Sequence, residues 1–239
     1  MKSVLISIKP QWCELIANGK KTVEVRKTKP KLETPFKCYI YCTKAKEHFS
    51  IGGGVYATRD TLYRLPTGEI KFGDGFELMG DWSGQYDESN FLNGKVIGEF
   101  VCDSIANYEA ELWGDETYER IQEFFEPDDF AEYGEYEYKT IADNGDDFWR
   151  ENMLCESSCL TIEELRKYVG CGIATFYGWH ISDLVIYDKP KELSGFARPC
   201  PDNVRSCAMC RKRDYTGMHC NSHIKPPQSW CYVEKEGDG

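Results

Sequence analysis

The sequence predicts an α+β protein: a small β-barrel with flanking helices, two insertions and a metal-stapled loop. Three observations carry that reading. Short strand-like runs greatly outnumber the helix signals, and no parallel strand–helix alternation runs through the chain. The composition, 41% hydrophobic and 29% charged over 239 residues, suits a globular chain with a core of its own. Five of the 12 cysteines, Cys200, Cys207, Cys210, Cys220 and Cys231, fall in the last 40 residues. No apolar run approaches the ~18 residues that a membrane-spanning helix needs, and the start lacks a long apolar leader. The expectation is a cytoplasmic protein without a membrane partner.

The elements follow in order. Val4–Ile8 is a short apolar strand. Pro10 suits the first turn of a helix in which Trp12, Leu15 and Ile16 share a face, and Asn18-Gly19 supplies a left-handed stop. Thr22–Arg26 alternates, with the valines on one face and Thr22, Glu24 and Arg26 on the other. Phe36–Cys42 is an aromatic-rich strand. Residues 51–94 read as a β-rich insertion, punctuated at Pro66-Thr67-Gly68 and Gly73-Asp74-Gly75. Regular strands resume at Lys95–Cys102. Tyr118, Ile121, Phe124 and Phe125 fit one helix ended by Pro127, inside a second insertion at 106–150. Thr161 and Glu164 form a capping box, with Leu160 and Leu165 as a hydrophobic staple and Gly170 as the stop. Strands follow at Ala174–Ile181 and Leu184–Tyr187. The barrel thus occupies 1–196, a Cys-rich segment 197–228, and a last strand 229–235.

Charge is unevenly spread. The whole chain carries -11, yet residues 1–31 hold eight Lys/Arg against two Asp/Glu, and residues 103–151 hold 17 acidic against three basic residues. Screening over about 8–10 Å lets the basic end act independently of the acidic block. The acidic block reads as a solvated insertion, or as a docking surface for a basic protein partner.

The basic end concentrates in Gly19-Lys20-Lys21-Thr22-Val23-Glu24-Val25-Arg26-Lys27. Lysine offers phosphate a mobile point charge, and arginine offers a planar fork to phosphate or a base edge. Glu24 can orient Arg26 or accept from a base amino group. Leu5–Pro10, the helix after it and Gly19–Lys27 together resemble the ASCH domain, a member of the PUA-like β-barrel superfamily. Lys95–Phe100, the helix from Thr161, Gly178–Leu184 and Pro226–Glu234 agree with the resemblance in order, over about half of the chain. The Pro226-Pro227-Gln228-Ser229-Trp230 ending is similar to longer ASCH proteins of bacteria and their phages. The resemblance implies a cleft that binds RNA or modified nucleotides, with Lys9, Lys21, Glu24 and Arg26 as its cleft residues; Lys27 adds to the same basic nucleic-acid-binding face. Trp179 and His180 join them as an aromatic plane and a titratable donor suited to a base.

One branch of that family consists of small amidohydrolases that act on acetylated cytidine, with a pattern that resembles G-x-K-T-x-T-x-R. Lys21 takes the lysine position and Thr22 the non-catalytic threonine, but Glu24 stands where the catalytic threonine belongs. Glu156 is the nearest later glutamate. A carboxylate does not replace a lysine-activated hydroxyl, so the sequence leans toward a non-catalytic module, with Lys21 and Glu24 as the catalytic pair of the alternative.

Cys200-x6-Cys207-x2-Cys210-x9-Cys220 has the spacing of a closed tetrahedral site, and its turn-rich segment has little apolar content to hold it. Structural Zn2+ on these four thiolates is the expectation, with His223 as a substitute ligand. Cys155, Cys159 and Cys171 read as buried small hydrophobes.

Overall fold

The computed structural model describes residues 2–44, 49–51, 55–57, 60–73, 90–112, 119–125, 137–143, 153–170, 172–197 and 224–235. The chain divides into two compact units: Met1–Ala17, Lys37–Phe100 and Leu184–Gly239 form one, and Asn18–Phe36 with Val101–Asp183 form the other.

The first unit is built on strand β1 (Ser3–Ile8), all six residues of which are buried. A mainly apolar run, with only Ser3 and Ser7 polar, suits a strand covered on both faces. It pairs in parallel with β3 (Phe36–Cys42) and antiparallel with β15 (Trp230–Lys235), from Val4↔Cys38 to Ile8↔Cys42 and from Ser3↔Val233 to Ile6↔Trp230. With β8 (Val96–Cys102), β13 (Ser182–Lys191) and β14 (Phe196–Ala197) they form a six-stranded sheet ordered β13-β8-β3-β1-β15-β14. Gly98 lets β8 approach β13, because a Cβ there would lie 2.5 Å from the Val185 carbonyl oxygen. Helix α1 (Pro10–Ala17) ends where Gly19 takes φ +70°. Two ribbons, β4 (Phe49–Ile51) with β5 (Val55–Ala57) and β6 (Thr61–Arg64) with β7 (Ile70–Gly73), complete the described strands of this unit.

The second unit is a five-stranded antiparallel sheet ordered β11-β10-β9-β12-β2. Its strands are β2 (Val23–Arg26), β9 (Ile105–Leu112), β10 (Glu119–Phe125), β11 (Glu137–Asp143) and β12 (Gly172–His180). One face carries the core: Val25, Tyr108, Ala110, Ile121 and Phe176 pack under Leu154 of α2 (Met153–Ser158) and Leu165 and Val169 of α3 (Ile162–Val169). Gly178 is part of that fit, since a Cβ there would meet the Tyr108 ring at 2.9 Å. The α3 capping box forms as expected, with Thr161 Oγ1 accepting from the Glu164 N–H at 3.1 Å and Glu164 Oε2 accepting from the Thr161 N–H at 3.0 Å.

Two expectations give way. Among the described residues the strands form two open sheets and two ribbons, with edges at β13, β14, β11 and β2, and no closed barrel. Where a helix is expected through Tyr118–Phe125, the described part, Glu119–Phe125, is strand β10, paired on both sides from Arg120↔Glu111 to Phe124↔Asn107 and from Arg120↔Asp143 to Phe125↔Glu137; Tyr118 lies outside the described residues. A few apolar residues at helical spacing cannot outweigh two neighbouring strands, and Ile121 reaches the core from β10 while Gln122 faces the other way. Residues 105–112, read from their acidity as part of a solvated insertion, supply a central strand with Tyr108 and Ala110 buried.

Candidate functional site

The Gly19–Lys27 motif lies along the edge of the second unit's sheet, and α2 positions its start. The Thr22 N–H donates to the Ser157 carbonyl at 2.8 Å, and Cys159 Sγ, on a residue at φ 53°, donates to the Lys20 carbonyl at 3.4 Å. That joint turns Lys21 inward. Its ammonium donates to the Ser158 carbonyl at 2.5 Å and lies 3.4 Å from Glu24 Oε2. The carboxyl end of α2 is a favourable place for a cation.

Glu24 and Arg26 occupy alternate positions of β2 and share a sheet face. Arg26 Nη2 is 2.8 Å from Glu24 Oε1, so one carboxylate bridges two cations. Lys21, Glu24 and Arg26 are 3%, 6% and 8% exposed. The charge cluster suggests an open phosphate-binding surface, whereas both cations are buried around Glu24. Burial follows from the anchoring of Lys21 on α2 and from Tyr168 of α3, which is hydrogen-bonded with the Arg26 side chain. Burial pushes the Tyr168 hydroxyl above its ordinary pKa, the Glu24 charge adds to this, and Arg26 opposes it.

Three polar atoms of this cluster stand out. Glu24 Oε2, Arg26 Nε and Ser158 Oγ are buried and make no hydrogen bond among the described residues, although Oε2 keeps its ion pair with the Lys21 ammonium. Buried polar atoms are normally satisfied, so this set is unusual.

The other expected residues fall as follows. Trp179 pairs opposite Glu24 but is fully buried, its ring edge-on to Phe36 at 5.9 Å; it belongs to the core, with no ring face open for stacking. His180 is exposed at the end of β12, where Nδ1 donates to Asp103 Oδ1 at 2.6 Å. Through that bond Asp103 stays below the ordinary carboxyl pKa. Lys27 is exposed, its ammonium 5.5 Å from the Tyr168 ring centre. Lys9 is exposed at the end of β1, in the first unit. Cys200, Cys207, Cys210, Cys220 and His223 lie outside the described residues, and no group of three or more metal-binding side chains occurs among those described. No helix among the described residues is long and apolar enough to cross a membrane. Ser158 and Tyr168 escaped the sequence reading; Ser158 stands 137 positions from Lys21, with no local pattern to join them.

No protein-family model matches the chain, and no curated protein matches it. A solved structure, the crystal structure of ASCH from Zymomonas mobilis, is similar at a TM-score of 0.44 and 15% identity, over 98% of this chain and 89% of that one.

Proposed function

We propose that this protein is a nucleotide- or RNA-binding module that recognises a base at the Lys21–Glu24–Arg26 cluster and performs no chemistry on it. The observation that carries the reading is that Glu24 Oε2, ion-paired with Lys21, and Ser158 Oγ are buried without a hydrogen bond among the described residues. A carboxylate oxygen accepts from an exocyclic base amino group, and a hydroxyl serves the neighbouring ring nitrogen or carbonyl. The resemblance of Gly19–Lys27 to the ASCH motif supports the same ligand class. Tyr168, hydrogen-bonded with the Arg26 side chain, is exposed beside this cluster.

The amidohydrolase alternative is less well supported. Lys21 Nζ is engaged as a donor to Ser158 and beside Glu24, an ammonium's arrangement and not that of a base. The threonine hydroxyl of the enzymatic pattern is absent at position 24.

Titration with the four ribonucleoside monophosphates, followed by NMR, tests the proposal. Adenine, cytosine and guanine nucleotides should bind ahead of the uracil nucleotide. Ser158→Ala removes no protein hydrogen bond, so it should fold as wild type while weakening binding roughly 2- to 12-fold, the range of one net hydrogen bond. Absence of binding to any nucleotide or RNA at low salt by folded protein overturns the proposal. Turnover of acetylated cytidine that is lost in Lys21→Ala transfers the site to the enzymatic reading.

A further inference from the structure

Tyr168 stands in the last turn of α3 and is 38% exposed, and its hydroxyl oxygen meets the end of β2. The oxygen accepts from the Arg26 side chain and from the Lys27 backbone N–H. Those two bonds occupy both acceptor positions of a phenol. Its own proton therefore points away from both donors, and no acceptor for it occurs among the described residues. Lys27 supplies a charge at the same place. Its ammonium lies 5.5 Å from the Tyr168 ring centre, and the side chain is exposed and in no ion pair among the described residues. Lys21 and Arg26, by contrast, share Glu24.

We infer that the Tyr168 O–H and the Lys27 ammonium form an anion site for the phosphate of the ligand whose base enters the Lys21–Glu24–Arg26 cluster. The inference rests on the base-binding reading above and deepens it from a base to a phosphorylated ligand. Arg26 joins the two halves, since its guanidinium is bonded to Glu24 on one side and to the Tyr168 oxygen on the other. Accepting from a guanidinium polarises the phenol and makes its outward O–H a better donor. Burial holds the Tyr168 hydroxyl above its ordinary pKa, so the proton is in place at neutral pH.

The surrounding charge favours an anion. The last turn of α3 carries Arg166 and Lys167, while its carboxylates, Glu163 and Glu164, stand in the first turn. Residues 25–32 hold Arg26, Lys27, Lys29 and Lys31 with no carboxylate. Glu24 is the carboxylate whose charge reaches the Tyr168 hydroxyl, and two cations already flank it. A phosphate monoester of a free nucleotide and a phosphodiester of RNA offer the same anionic oxygen to this pair of donors.

Calorimetric titration with a nucleoside, its 5′- and 3′-monophosphates, a dinucleoside monophosphate and inorganic phosphate tests the site. The phosphorylated ligands should bind more tightly than the nucleoside. Tyr168→Phe keeps the ring and drops the O–H, and it should weaken their binding, relative to the nucleoside, roughly 10- to 150-fold, the worth of a hydrogen bond to a charged group. Lys27→Gln changes an exposed side chain and should cost about 2- to 5-fold on the same ratio, the range of an exposed ion pair. A monoester that outbinds the diester upholds the site with a free nucleotide as its ligand, and the reverse order upholds it with RNA. Phosphorylated ligands that bind no better than the nucleoside, or an advantage that survives both variants, overturn the anion site. In either case Ser158-dependent nucleoside binding leaves the base site standing. Inorganic phosphate and the monophosphates binding through Tyr168 and Lys27, with no nucleoside binding and no effect of Ser158→Ala, overturn the base site and uphold the anion site.

Discussion

Glu24 is held by two cations that the fold has taken out of water. Removing one partner from such a group costs far more than the group contributes when complete, because the remaining charges lose compensation without regaining solvent. Glu24→Gln keeps the shape and leaves Lys21 and Arg26 uncompensated, so urea unfolding should register a loss of about 3–5 kcal/mol. A change below about 1 kcal/mol would mean that the cluster is open to water. A second carboxylate behaves differently. Glu99 in the first unit is pushed up by burial, but hydrogen bonds from Lys37 and Tyr187 and the charges of Lys37 and Lys191 outweigh this and leave it below the ordinary carboxyl pKa. Its folded pKa lies beneath its unfolded one, so its stabilisation is full at neutral pH and is lost as pH falls through the acid range. The urea midpoint of wild type should fall below about pH 4, and Glu99→Gln should flatten part of that fall.

Elements with strong local punctuation were legible in the sequence, and those made by distant pairing were not. The α3 capping box, the Gly19 stop and the limits of β3 follow from residues within a few positions of one another. Strand β10 does not, because what fixes it is Glu111 and Asp143 on either side of Arg120. By the same pairing, a deletion of 106–150 would remove nearly all of β9, which pairs with β12 from Gly172↔Leu112 to Trp179↔Ile105, and with it the sheet that carries the site. The Cys-rich segment is anchored at both ends. Phe196 is buried before it, and after it Ile224 packs into the same core while the Pro227 carbonyl accepts from Ser7 Oγ at 2.7 Å. A tetrahedral ion on Cys200, Cys207, Cys210 and Cys220 would close a loop whose ends the sheet already fixes. Elemental analysis should find one zinc per chain, lost in the Cys207→Ser/Cys210→Ser variant; metal-free protein of equal stability rejects the site.

The candidate site was half legible at the scale of the molecule. The sequence singled out Lys21, Glu24 and Arg26 as belonging together, because spacing on one strand is a local property. Their burial was hidden, since it depends on Ser158 and Tyr168, which approach from helices far along the chain. Trp179 illustrates the opposite error: an aromatic next to a histidine suggests a ligand, but the ring's packing partner, Phe36, lies 143 positions earlier.

Strand β15 sits between β1 and β14 in the six-stranded sheet, and this has a consequence for synthesis on the ribosome. The first strand to emerge waits for a partner encoded more than 220 positions later, from Ser3↔Val233 to Ile6↔Trp230. Until Trp230–Lys235 has cleared the exit tunnel, β1 presents an unpaired edge of Val4, Leu5 and Ile6, the kind of edge that recruits other chains. Residues 101–183, by contrast, can pair among themselves and with Asn18–Phe36 while translation continues. Chains stalled before Trp230 should therefore yield protease-resistant fragments from the second unit and be captured by chaperones through the first. Full-length chains released from the same ribosomes should show both units protected.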